Sequence, residues 1–170
     1  VNLDAEMQES KLQDAVAAID TRRFMPPVAG AASAASIKQA ADLLRGAKQP
    51  VILAGRTSRD VQAWNKRVTL AERLNARVVT DLKIGAGFPT DHPQHAGAPA
   101  SNALVAEAIE ALKAADLILA LDCVDLNGIL RGAFGFEVPK TKIISVSAAA
   151  HARSNAASLC TPGFLYSLNA

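Results

Sequence analysis

Aromatic side chains are scarce in this chain of 170 residues: five Phe, one Tyr and one Trp make up 4% of it. Half of the residues are nevertheless apolar, and alanine accounts for much of that half. Short side chains must therefore do the packing, which suits helices lying close on a sheet. Cysteine is equally rare. Cys123 and Cys160 stand too far apart for a zinc spacing and too few for a disulfide framework, so a reducing, cytoplasmic setting is expected. No block of one charge sign exists. Eighteen Lys and Arg are interspersed with 16 Asp and Glu, for a net charge of +2, and no basic face for nucleic acid is expected. No apolar run approaches the roughly 20 residues that span a bilayer, and the first residues lack the pattern of a secretory signal.

What is present is an alternation of helical and strand patterns over a length suited to one domain. The stretch Gln49-Pro50-Val51-Ile52-Leu53-Ala54-Gly55 reads as a buried strand that ends in a tight glycine turn. Ahead of it, Ser36 and Gln39 fit a capping box, and Ile37, Ala40, Ala41 and Leu44 give one apolar face. A second helix is expected from about Arg59 to Leu74, capped by Ser58 and striped by Val61, Trp64, Val68 and Ala71, with Asn75 as its stop. Strands follow at 77–80, 117–121 and 143–146, with a third helix at 101–115. Residues 81–100 hold three Gly and three Pro and are expected to form a long functional or contact loop. A second loop is expected from Asp122 to Gly132. The predicted fold class is α/β: a doubly wound, mainly parallel Rossmann-like sheet flanked by helices, a three-layer sandwich.

Residues 1–35 read as an interdomain linker, with one short helix around Leu12, Val16 and Ile19 and a break at Phe24-Met25-Pro26-Pro27. Residues 36–170 then form the domain. Its tail from His151 onward is open between a weak helix and an added strand. Val1-Asn2-Leu3-Asp4 resembles the end of a strand, so the chain is expected to be a piece of a longer one.

The candidate site lies where strands of such a sheet end. Gly55, Arg56, Thr57 and Ser58 could cradle a phosphate with backbone N–H groups, a cation and two hydroxyls, or could simply turn the chain and cap the next helix. Gly85 and Gly87 allow close approach to a ligand or to another chain. Phe88 beside them could pack on a neighbouring domain. Asp122, after the third strand, could accept a ribose hydroxyl but would repel a pyrophosphate. Cys123 reads as a buried structural thiol. His92 and His95 form an H-x-x-H pair, but Pro93 interrupts the helix that would align them, so no metal site is expected.

The motif order LLRGAKQPVILAG, LAERLNARVVTD, GAGFPTDHPQHAG, ADLILALD and TKIISVS resembles the central domain of thiamine diphosphate-dependent enzymes, the family of acetolactate synthase, benzoylformate decarboxylase and oxalyl-CoA decarboxylase. The opening VNLDAEMQE is similar to the segment by which the preceding domain of such enzymes exits. The resemblance implies a middle domain with flanking domains in the parent, a parent homo-oligomer, and thiamine diphosphate with magnesium bound elsewhere than on this piece. It implies no catalytic residues here, and a structural, domain-contact role. Some members carry FAD or ADP on this domain. Here Arg56 replaces a second glycine, Asp122 replaces another, and Ser147 stands where an acid is common. The expectation is therefore that no dinucleotide is bound. The alternatives are an FAD- or ADP-binding domain of the same fold or a flavoprotein electron-transfer domain, and last a sirtuin-like NAD-dependent enzyme.

Overall fold

The computed structural model describes residues 4–11, 18, 20, 32–81, 84–97, 103–147 and 165–169. Most of the linker expected over 1–35, its short helix and Phe24–Pro27 lie outside them, as do Ser101, His151, Arg153 and Cys160.

Five parallel strands form one sheet in the order β2-β1-β3-β4-β5. They are β1 (Pro50–Ala54), β2 (Arg77–Thr80), β3 (Leu117–Leu121), β4 (Lys142–Ser147) and β5 (Leu165–Asn169). β5 resolves the open tail in favour of an added strand, paired with β4 from Ile143↔Leu165 to Ser147↔Asn169. The chain also forms α1 (Ala5–Glu9), α2 (Ala34–Gly46), α3 (Val61–Leu74), α4 (Ala106–Ala114) and α5 (Leu126–Phe134).

Alternation along the strands divides the core into two layers. Val51, Leu53, Ile118, Ala120 and Ile143 face Ala108 and Leu112 of α4 and Leu126, Leu130 and Ala133 of α5. Ile52, Ala54, Leu117, Leu119 and Ile144 face Ala40 of α2 and Ala71 of α3. The central strands are buried on both sides, so they read as unbroken apolar runs. The alanines in the facing helices let those helices lie close. This is the doubly wound, three-layer architecture the sequence implies.

Several local expectations change. The cap of α2 is Ser33, whose side chain accepts from the Ser36 N–H at 3.1 Å, rather than Ser36 with Gln39. The cap of α3 is Asp60, which accepts from the Ala63 N–H at 3.0 Å; Ser58 instead accepts from the Asp60 N–H at 3.1 Å. A carboxylate complements the partial positive charge of a helix start better than a hydroxyl does. Val61, at the exposed start of α3, is 71% accessible and no part of the core. Asn75 does stop α3, in the left-handed conformation, its N–H donating to the Ala71 and Glu72 carbonyls. α4 begins at Ala106 without a side-chain cap. The loop expected from Asp122 to Gly132 is largely α5, capped by Asp125, which accepts from the Gly128 N–H at 2.7 Å. Gly128 and Gly132 disguise this helix in the sequence, although Leu126, Leu130 and Ala133 keep helical spacing.

The long segment after β2 is no free loop. His95 pairs with Val78 in a parallel bridge, Val78 N–H donates to the Gln94 carbonyl at 2.8 Å and Ala96 N–H to the Val78 carbonyl at 2.7 Å. It therefore covers the open edge of β2. Phe88 is 4% exposed and lies in the α2/α3 core layer, not on a neighbouring domain.

Candidate functional site

In an open sheet of this order, ligands bind outside the carboxyl ends of the strands where the order reverses, here between β1 and β3. In this chain those two exits are joined by backbone bonds. Gly55 N–H donates to the Leu121 carbonyl at 2.8 Å and Arg56 N–H to the Asp122 carbonyl at 3.0 Å. The approach is so close that a Cβ on Gly55 would come within 2.6 Å of the Leu121 oxygen. The glycine is required by the chain's own backbone.

Asp122 occupies the centre of the mouth. Its backbone is left-handed, with φ +47°, a conformation that aspartate tolerates and that glycine adopts freely. Its N–H donates to the Val146 carbonyl at 2.6 Å. One carboxylate oxygen accepts from the Ser147 hydroxyl at 2.7 Å, and the other lies 3.4 Å from Arg56 Nε. Three strand exits, after β1, β3 and β4, thus meet on one side chain.

Beside this knot, on the α3 side of the sheet, is an open depression of about 390 Å³. Ala63, Leu121 and Val146 contribute apolar surface, and Arg56, Lys66 and Arg67 contribute cations. Thr57, Ser58, Asp122 and Ser147 also line it. Thr57 Oγ1 is buried without a hydrogen-bond partner among the described residues. Five of the expected site residues, Gly55, Arg56, Thr57, Ser58 and Asp122, therefore come together. Lys66 and Arg67 join them although sequence reasoning passed them over. Their signal was available: they lie three and four residues after Ala63, on the same face of the helix that follows the turn.

Gly85 and Gly87 sit apart, over the exits of β1 and β2. A Cβ on Gly85 would meet the Arg59 guanidinium at 3.6 Å, and one on Gly87 would meet Ile84 at 3.2 Å and Thr80 at 3.5 Å. Arg67 holds this loop, donating from Nε to the Gly87 carbonyl at 3.0 Å and from its terminal nitrogen to the Ala86 carbonyl at 3.2 Å. Ala86 between them has φ +57°.

His92 and His95 both stand against the Phe88 ring, at centroid distances of 5.1 and 6.4 Å. His92 also lies 3.5 Å from the Glu72 carboxylate and accepts from the Gln94 N–H at 3.2 Å, while His95 contacts the Thr80 hydroxyl at 3.3 Å and the Thr90 backbone. Among the described residues no group of three His, Cys, Asp or Glu could hold a metal ion, and no helix is long and apolar enough to cross a membrane. Cys123 points inward, its thiol 3.7 Å from the Leu53 carbonyl oxygen. Burial, followed by the charges of Asp81 and Asp122, pushes that thiol up to about 12, which removes it as a nucleophile near neutral pH.

Comparison with known proteins follows the same lines. Residues 37–158 match the family model described as thiamine pyrophosphate enzyme, central domain. The chain is 36% identical over 103 residues to the acetolactate synthase large subunit of Buchnera aphidicola subsp. Schlechtendalia chinensis, covering 61% of this chain and 17% of that protein. It is 38% identical over 91 residues to the sulfoacetaldehyde acetyltransferase of Rhodobacter capsulatus, covering 54% and 15%. The fold superposes on benzoylformate decarboxylase from Polynucleobacter necessarius with a TM-score of 0.62 at 21% identity, over 92% of this chain and 28% of that one. The chain thus spans about a sixth of the length of the curated relatives it matches.

Proposed function

The chain belongs to the family of thiamine pyrophosphate enzyme central domains, and from that premise we propose that it is the middle piece of a thiamine diphosphate-dependent 2-oxo acid decarboxylase or carboligase. Its own work is architectural: it holds flanking domains of the parent in place and contributes to a cytoplasmic homo-oligomer. Exposed Phe136 (84% accessible), Val124 and Val138 supply apolar surface for such contacts. Thiamine diphosphate would supply the carbanion chemistry in the parent. The strand-exit crevice does not suit that cofactor's magnesium, since Asp122, the one carboxylate among its described lining residues, is already engaged by Ser147 and Arg56.

We further propose that the domain works without a bound dinucleotide. The single observation that carries this is the Asp122 carboxylate held between Arg56 and Ser147 at the mouth of the crevice, where its charge repels a pyrophosphate. The second reading, an FAD- or ADP-binding domain, is favoured by one observation, the unpartnered Thr57 Oγ1 beside Arg56 and Lys66. Thermal unfolding of the purified chain with FAD, ADP or NAD separates the two. A ligand at 100 times its dissociation constant stabilises by about 2.7 kcal/mol. No shift and no flavin absorbance are expected; a yellow protein or a shift with FAD or ADP overturns the proposal in favour of the second reading.

A further inference from the structure

The strand-exit crevice retains the parts of an anion site. Arg56 and Lys66 are cations at its wall, Ser58 and Thr57 are hydroxyls, and Thr57 Oγ1 is buried with no partner among the described residues. The only carboxylate among the described lining residues is Asp122. It is not a loose surface acid. Its N–H is bonded to Val146, its carbonyl accepts from Arg56, and its side chain accepts from the largely buried Ser147 hydroxyl. The second carboxylate oxygen turns to Arg56.

We propose that Asp122 is an internal counter-ion that closes this crevice to phosphate-bearing ligands. Its carboxylate takes the position and the cation that an incoming phosphate would use. The inference rests on the proposal that the domain binds no dinucleotide, and it assigns that property to one side chain. The Arg56–Asp122 pair is half exposed, so its own attraction is slight. The exclusion comes from the anchoring. Three hydrogen bonds, two at the Asp122 backbone and one from Ser147 to its carboxylate, fix the negative charge in the crevice, where it repels an incoming phosphate.

The test is titration calorimetry of the 170-residue chain with inorganic pyrophosphate. Asp122→Asn keeps the shape and an acceptor for Ser147 but removes the charge. It is expected to bind pyrophosphate at least about tenfold more tightly than the unsubstituted chain, the scale of one like-charge contact in partly aqueous surroundings. Adding Arg56→Ala to that variant is expected to abolish the gain. If the asparagine disturbs folding, Asp122→Gly suits the φ of +47° and carries the same expectation. A folded variant that binds pyrophosphate no better than the unsubstituted chain overturns the inference while leaving the dinucleotide-free reading intact. If the unsubstituted chain already binds FAD or ADP, both fall. A gain that survives Arg56→Ala places the phosphate elsewhere and also overturns it.

Discussion

Gly55 lies directly against the backbone of Asp122, so that a Cβ on Gly55 would overlap both the Leu121 and Asp122 carbonyl groups. Atoms on both sides of this contact belong to backbone that is already hydrogen-bonded. Gly55→Ala is therefore expected to destabilise the fold by about 2–3 kcal/mol, as overpacking against rigid neighbours does. Urea unfolding checks it, and a midpoint unchanged from the unsubstituted chain would show that the two strand exits can part without cost.

The loop over β1 and β2 stores strain at Ala86 and is held by Arg67. Ala86→Gly is expected to raise stability by about 1 kcal/mol, the penalty for a left-handed non-glycine residue. Arg67→Ala loses the bonds to the Ala86 and Gly87 carbonyls and is expected to cost about 1–2 kcal/mol. Amide exchange in residues 84–88 should accelerate in the second variant and slow in the first.

His95 makes stability depend on pH. Burial pushes its imidazole below the ordinary value of 6.5, with Arg77's charge adding to the effect and a backbone hydrogen bond with Thr90 opposing it. The folded pKa is thus the lower one, and the unfolded chain binds the proton more readily. The contribution is complete above the unfolded value and is lost as pH falls through the folded one. The urea midpoint is expected to drop as pH goes from about 7.5 to about 5, and His95→Gln should flatten part of that drop. An equal slope in both proteins would remove His95 as a cause.

Cys123 is expected to resist alkylation in the folded chain at mildly alkaline pH, because its thiol is held near 12 and only the thiolate reacts. Peptide mapping of the Cys123 segment after iodoacetamide treatment, with and without denaturant, reads this directly. Equal modification in both conditions would show a thiol open to solvent.

Strand identity was legible in the sequence because strands buried on both faces must be apolar throughout. Val51–Ala54 and Leu117–Leu121 announced themselves for that reason. Asn75 was legible too, since few residues accept the left-handed stop it occupies. Helix α5 was not, because its two glycines lower local helix propensity and only packing against α4 and the sheet, through Leu126, Leu130 and Ala133, compensates. The same holds for the caps of α2 and α3: the helices start from Ser33 and Asp60 rather than from Ser36 and Ser58, and sequence alone does not say at which residue the backbone turns helical.

By itself the sequence determined the layer architecture, the parallel sheet and the turn at Gly55, because hydrophobic period and glycine placement are local properties. It also brought Gly55, Arg56, Thr57, Ser58 and Asp122 under suspicion together. Only the tertiary structure decided what each does there. It placed the Asp122 carboxylate between Arg56 and Ser147, residues 66 positions before and 25 after it. It set Phe88 into the core, and it separated Gly85 and Gly87 from the crevice. Those outcomes depend on which strand exits meet in space, a consequence of the β2-β1-β3-β4-β5 order that no local pattern encodes.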